Sequence, residues 1–197
     1  MKMLKVIYTL FIFGFVSVSH AGVIIIGEYI NGHFISLLGA DNVEVNGSFY
    51  NVRFLDGTCI ALFNGCDASK DFLFGTMEDA QAASGSLLAQ VYSAGSLLGK
   101  EPEYTDGCSD KYGCEIFTAY GVNAGGAVAA TVTEINFLDD NDAYDYEYWE
   151  LNDDTVPEAW QVYAVWSEPV EASEPGTAMV LLMGIAGLIV SQRRKQA

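Results

Sequence analysis

Basic residues are nearly missing from the middle of this chain. Between Gly22 and Glu174, Arg53, Lys70, Lys100 and Lys111 are the entire opposition to all 26 acidic residues. A surface of that sign repels nucleic acid and anionic membrane surfaces, so nucleic acid is not an expected partner. Histidine is as scarce. There are two in 197 residues, and His20 lies in an N-terminal segment read below as removable, which leaves His33. One histidine and no Gly-x-Ser-x-Gly elbow leave a Ser-His-Asp hydrolase little to build on. They leave a zinc site equally short of ligands, because the four cysteines are not in Cys-x-x-Cys spacing. Paired carboxylates of the glycosidase kind arise by chance among 26 acids and carry no specific signal. The expectation is a protein that is not an enzyme and needs no cofactor.

Long apolar runs are absent except at the two ends. The N-terminus, "MKMLKVIYTLFIFGFVSVSHAG", places Lys2 and Lys5 before an uncharged stretch from Val6 to Val18, followed by Ser19-His20-Ala21. A positive start, a short apolar core and small residues at the cleavage positions are the pattern of a secretory signal peptide. Residues 1–21 are read as that peptide, cut between Ala21 and Gly22, with signal peptidase as the partner. At the other end, Thr177 to Val190 is uncharged, preceded by Glu168, Glu171 and Glu174 and followed by Arg193, Arg194 and Lys195. As a helix these 14 residues cover about 21 Å at about 1.5 Å per residue, against a bilayer core of about 30 Å. The span is marginal, but the flanks orient it, with the basic cluster inside and the acidic side outside.

The stretch "SEPGTAMVLLMGIAGLIVSQRRK" resembles the PEP-CTERM sorting signal of Gram-negative bacteria. Glu174 and Pro175 match the last two positions of the Pro-Glu-Pro motif, Gly176 and Thr177 its usual continuation, and Arg193, Arg194 and Lys195 the basic end. Ser173 stands where the family has its first proline. The resemblance implies recognition of the tail by exosortase, a membrane cysteine transpeptidase, in a bacterium that makes extracellular polysaccharide. It implies an inner-membrane intermediate and then the cell surface or extracellular matrix, with polysaccharide as a possible neighbour. It covers about 25 residues and implies no activity for what precedes them. The text "FLDGTCIALFNGC...DFLFGTMEDAQAASGSLLAQV" is similar to that of other PEP-CTERM proteins, again without an implied activity.

The organisation is therefore 1–21 signal peptide, 22–168 exported domain, and 169–197 linker and sorting tail, with its apolar helix at about 177–190. Four cysteines in an exported chain read as two disulfides. Three connectivities exist, and the local pairs Cys59–Cys66 and Cys108–Cys114 are favoured because short loops close most readily.

Within the domain, "GVIIIGEYINGHFISLLG" reads as one or two strands. Val43 and Val45, the turn dipeptide Asn46-Gly47, and Phe49, Tyr50, Val52 and Phe54 make a β-hairpin. The period then changes. Thr76 is a good N-cap, Glu78 and Asp79 suit the first turn, and Ala80, Ala83, Leu87, Leu88 and Val91 share one face. An amphipathic helix is expected from about Met77 to Ser93, weakened by Gly85 and stopped at Gly95 or Gly99. Strand-like text resumes in "CEIFTAYGV", "AVAATVTEINFL", "YDYEYWEL" and "AWQVYAVWSE". The predicted class is α+β: a mainly antiparallel sheet of about six or seven strands with one principal helix on a face.

Two clusters point to binding. Asp139, Asp140, Asn141, Asp142 and Asp145 offer calcium-like oxygen ligands, although the glycine and terminal glutamate of an EF-hand are missing and a polar turn would look the same. Tyr144, Tyr146, Tyr148, Trp149, Trp160, Tyr163 and Trp166 could form a sugar-stacking face or a sheet core. The leading expectation is an exported noncatalytic surface or matrix protein. The alternatives are a carbohydrate- or calcium-binding module and, behind it, a polysaccharide hydrolase.

Overall fold

A computed structural model describes residues 22–93, 96–136, 142–150 and 154–169, with the backbone alone over 144–150. The segments read as a signal peptide (1–21) and as a sorting tail (Ser173 to Lys195) lie outside the described residues, as do Asp139 and Asp140.

Seven strands form one sheet: β1 (Ile24–Ile30), β2 (His33–Val45), β3 (Ser48–Leu55), β4 (Cys114–Val122), β5 (Ala127–Ile135), β6 (Asp142–Glu150) and β7 (Gln161–Ser167). The apolar N-terminal text divides into two strands because Asn31 (φ 53°) and Gly32 (φ 81°) turn it back. Asn46 (φ 51°) and Gly47 (φ 81°) do the same between β2 and β3. Both dipeptides take the left-handed conformations that a type I′ turn needs.

The spatial order is β1-β2-β3-β7-β4-β5-β6. β1 to β3 form one antiparallel meander and β4 to β6 another. The last strand returns and fills the gap between them. It runs antiparallel to β3 but parallel to β4, through Glu115–Gln161, Ile116–Val162 and Phe117–Tyr163. The sheet is mainly antiparallel, as expected, and becomes mixed at one seam, because two antiparallel meanders joined through one inserted strand leave β4 and β7 parallel.

The sheet curls around α2 (Met77–Gln90), which touches β2, β4, β5 and β6. The helix starts as its sequence predicts: Thr76 Oγ1 accepts from the Asp79 N–H at 3.2 Å and donates to Asp79 Oδ2 at 2.9 Å. Its buried stripe is Ala80, Ala83, Ser84 and Leu87. These are mostly small residues, and they let the Ser84 hydroxyl reach Thr131 Oγ1 of β5 at 2.8 Å, while Thr133 Oγ1 donates to the Ser84 carbonyl. The helix ends at Gln90, before Ser93 and the expected glycine stops. Its last turn loosens where Tyr92 N–H joins Val91 N–H on the Leu87 carbonyl. The Tyr92 ring then leaves the helical path for the core, with its hydroxyl 3.0 Å from Thr105 Oγ1. Gln90 fixes the end against β2, accepting from Glu44 N–H at 3.0 Å and donating to Glu44 O at 2.7 Å.

Core residues lie on both faces of the central strands. On the helix side Val52, Phe54, Ile116, Val162, Ala164 and Trp166 pack with Leu87 and Tyr92. On the other side Phe117, Val128, Val132 and Tyr163 pack under the segment carrying α1 (Cys59–Leu62) and Phe72. Successive residues of β4 and β7 therefore serve opposite cores, as the two-residue period of a strand buried on both faces requires.

Candidate functional site

A polar constellation forms where β3 ends. Asp56 and Gly57 leave the strand, and the buried Thr155 comes alongside from the far end of the chain. Thr155 Oγ1 donates to Asp56 Oδ1 at 3.0 Å and accepts from the Gly57 N–H at 3.0 Å, while Thr155 N–H donates to Gly57 O at 3.3 Å. Gly107 (φ 89°) closes the corner, since a Cβ there would stand 2.8 Å from Asp56 Oδ1 and 2.7 Å from Val162. Partial burial raises the Asp56 carboxyl pKa above its ordinary value. Thr155 opposes the rise by its hydrogen bond, and the negative charges of Asp106 and Asp154 add to it.

Chemically the corner is a latch. It seats residues 154–160 against the loop of the second disulfide, where Ser109 and Asp110 N–H both donate to Ala159 O and Glu115 N–H donates to Trp160 O. That seat delivers the chain to β7. The hairpin pattern of the sequence runs to Phe54 and gives Asp56 no partner, and nothing in "NDDTVPEAW" marks Thr155 as one.

A second acidic side chain is used differently. Asp71 sits in a 3-10 turn, Ser69–Asp71, and its Oδ2 accepts from the N–H groups of Asp67 and Ala68, each at 3.0 Å. Those donors, Asp67 first, hold its carboxyl pKa below the ordinary value. Asp71 borders a concavity of about 180 Å³ whose wall includes Phe63, Phe74 and Trp166. A wider, shallower groove of about 410 Å³ runs between the start of α2 and the β4 bulge, past Thr76, Tyr120, Gly121 and Asn123. Neither depression collects several titratable groups.

Both disulfides take the local pairing, Cys59–Cys66 and Cys108–Cys114, each with Cα atoms 5.8 Å apart. Each contributes sulfur to a different core, the first under the sheet and the second on the helix side. No free cysteine is present among the described residues.

His33 is exposed at the first position of β2, opposite Ile30. The aromatic cluster does not form one face. Tyr163 and Trp166 are buried on opposite sides of β7, Tyr163 against Phe63 and Phe117, Trp166 against Phe74 with its indole N–H donating to Thr118 Oγ1. The cause is the double burial of β7: neighbours with a core on each side cannot both face solvent. Trp160 is half-buried just before that strand. In β6, Glu147 pairs with Ala130 but Asp145 with Thr131, so Tyr146 is an extra residue. This bulge interrupts the two-residue period of β6 at Tyr146.

Of the calcium candidates, Asp142 opens β6 opposite Glu134, its Oδ1 accepting from Ala143 N–H at 2.7 Å, and Asp145 follows within the strand. Among the described residues no group of three or more His, Cys, Asp or Glu side chains is placed to hold a metal ion. No helix among them is long and apolar enough to cross a membrane, and 177–190 is not among them. No protein-family model, curated protein or solved structure matches the chain.

Proposed function

We propose that this is an exported, noncatalytic surface or extracellular-matrix protein, directed through the inner membrane by its C-terminal tail and an exosortase. The observation that supports it best is the pair of disulfides. Cys59–Cys66 and Cys108–Cys114 are part of the two cores, so the fold is suited to an oxidising, extracytoplasmic compartment. That agrees with the signal-peptide pattern of residues 1–21 and with the PEP-CTERM-like text from Ser173 to Lys195. The noncatalytic part of the reading draws on how the acids are used. Asp56 anchors a latch and Asp71 holds a turn, which is structural work.

Mass spectrometry of the product from its native host tests the reading. The expected chain starts at Gly22, carries both disulfides and has lost the apolar tail near Glu174-Pro175. Glu174→Ala or Pro175→Ala should leave it held at the inner membrane. A full-length reduced protein in the cytoplasm would sink the proposal.

A further inference from the structure

The two edges of the sheet are built differently. β6 carries Asp142, Asp145, Glu147 and Glu150, the charged kind of edge that discourages another strand from adding. β1, "IIIGEYI", carries Glu28 alone, with no lysine and no proline. Its pairing with β2 has two register shifts, and in both the extra residue, Leu38 and Ile35, belongs to β2. The bulges that often protect an edge are thus on the inner strand. β1 itself is an unbroken run of seven paired residues, about 23 Å long at about 3.3 Å per residue.

The hairpin also concentrates exposed apolar side chains: Ile24 (50%), Tyr29 (60%), Ile30 (52%) and Ile35 (41%). On the helix side, Val23, Ile25 and Phe34 join the core, and Phe34 lies over Gly27 and beside Tyr29. On the opposite face Ile24, Ile26, Glu28 and Ile30 form a row, with Ile24 and Ile30 open to solvent.

We propose that β1 is a homodimer interface, the β1 strands of two copies pairing antiparallel about Gly27 to make one continuous fourteen-stranded sheet. Two observations select a second copy as the occupant. The strand is self-complementary in that register: Ile24 stands opposite Ile30 of the partner, Ile25 opposite Tyr29, and Ile26 opposite Glu28. No carboxylate then faces its own copy. The chain has a net charge of −17, so two copies repel wherever their acids meet. The β1–β2 hairpin, with Glu28 as its lone acid up to Asp41, is where they can approach. The closed two-fold arrangement covers the β1 edge of each copy and leaves the acidic β6 edges outward.

Sedimentation equilibrium of the full exported chain, with both disulfides formed, tests this. The wild type is expected to be a dimer that dissociates on dilution. Ile24→Lys with Ile30→Lys places like charges opposite one another and should give a monomer that melts as the dissociated wild type does. Ile24→Lys with Ile30→Glu places each lysine opposite a glutamate of the other copy and should restore the dimer, which a merely disrupted edge would not do. In the wild type, amide exchange over 24–30 should slow as concentration rises. A wild-type monomer at all concentrations overturns the proposal. So does a dimer that survives the two lysines, or a lysine–glutamate variant that stays monomeric while folded.

Discussion

Thr155 donates a 3.0 Å hydrogen bond to Asp56 across 99 positions of sequence. The same threonine receives the Gly57 N–H, so one side chain satisfies both sides of the corner at the end of β3. Thr155→Val keeps the shape and removes both hydrogen bonds. Its expected cost is about 1–3 kcal/mol, the usual penalty for leaving enclosed polar groups unpaired, read from urea unfolding. Asp56→Asn should act in the opposite direction at neutral pH. Burial first, then Asp106 and Asp154, raise the folded pKa of Asp56 above 3.8, so the folded state binds the proton more tightly than the unfolded chain. Its ionisation therefore detracts from stability as pH rises through the window just above 3.8. The asparagine variant is expected to melt no lower than wild type at pH 7, and the relative gain should vanish as pH falls below that window.

Asp71 carries the opposite sign. Hydrogen bonds from Asp67 and Ala68 lower its folded pKa below 3.8, so its contribution is present above that value and is lost as pH falls through the folded pKa. Asp71→Ala should lower the melting temperature at pH 7, and the difference should shrink in acid below pH 3.8. A deficit that does not change with pH would mean that the carboxylate charge contributes nothing to the turn.

Gly85 lies in the middle of α2, and a Cβ built there meets nothing within 4 Å. Glycine in a helix interior costs about 0.5–1 kcal/mol relative to alanine, mostly through the freedom it gives the unfolded chain. Gly85→Ala should raise stability by that amount without moving the disulfide pairing. Thermal melting and peptide mapping without reduction check the two halves of that statement.

Calcium binding by the acidic run would stabilise the fold by linkage, by about 2.7 kcal/mol at a hundredfold excess over the dissociation constant. Surface charge that is merely screened responds to any salt at equal ionic strength. Replacing sodium by calcium at fixed ionic strength is expected to leave the melting temperature unchanged. A calcium-specific rise that disappears in Asp140→Asn with Asp142→Asn would instead make the chain a binding module.

Local chemistry was legible in the sequence wherever a few neighbouring residues decide the outcome. Asn46-Gly47 sets a hairpin because glycine and asparagine accept positive φ. Thr76 starts a helix because its hydroxyl reaches an N–H three residues on. Cys59 and Cys66, and Cys108 and Cys114, find each other because their loops are short. The signal-peptide and sorting-tail readings are likewise linear patterns of charge and apolarity. Tertiary structure alone decided the rest. Nothing local tells β7 to enter between β3 and β4, because that placement depends on Thr155 meeting Asp56 and on two meanders leaving a gap for it. Tyr163 and Trp166 look like a stacking face in one dimension, but a strand with a core on each side buries both. The same rule of distance applies to α2: its end at Gln90 is set by where Tyr92 finds Thr105, a contact made by packing and not by the glycines that follow.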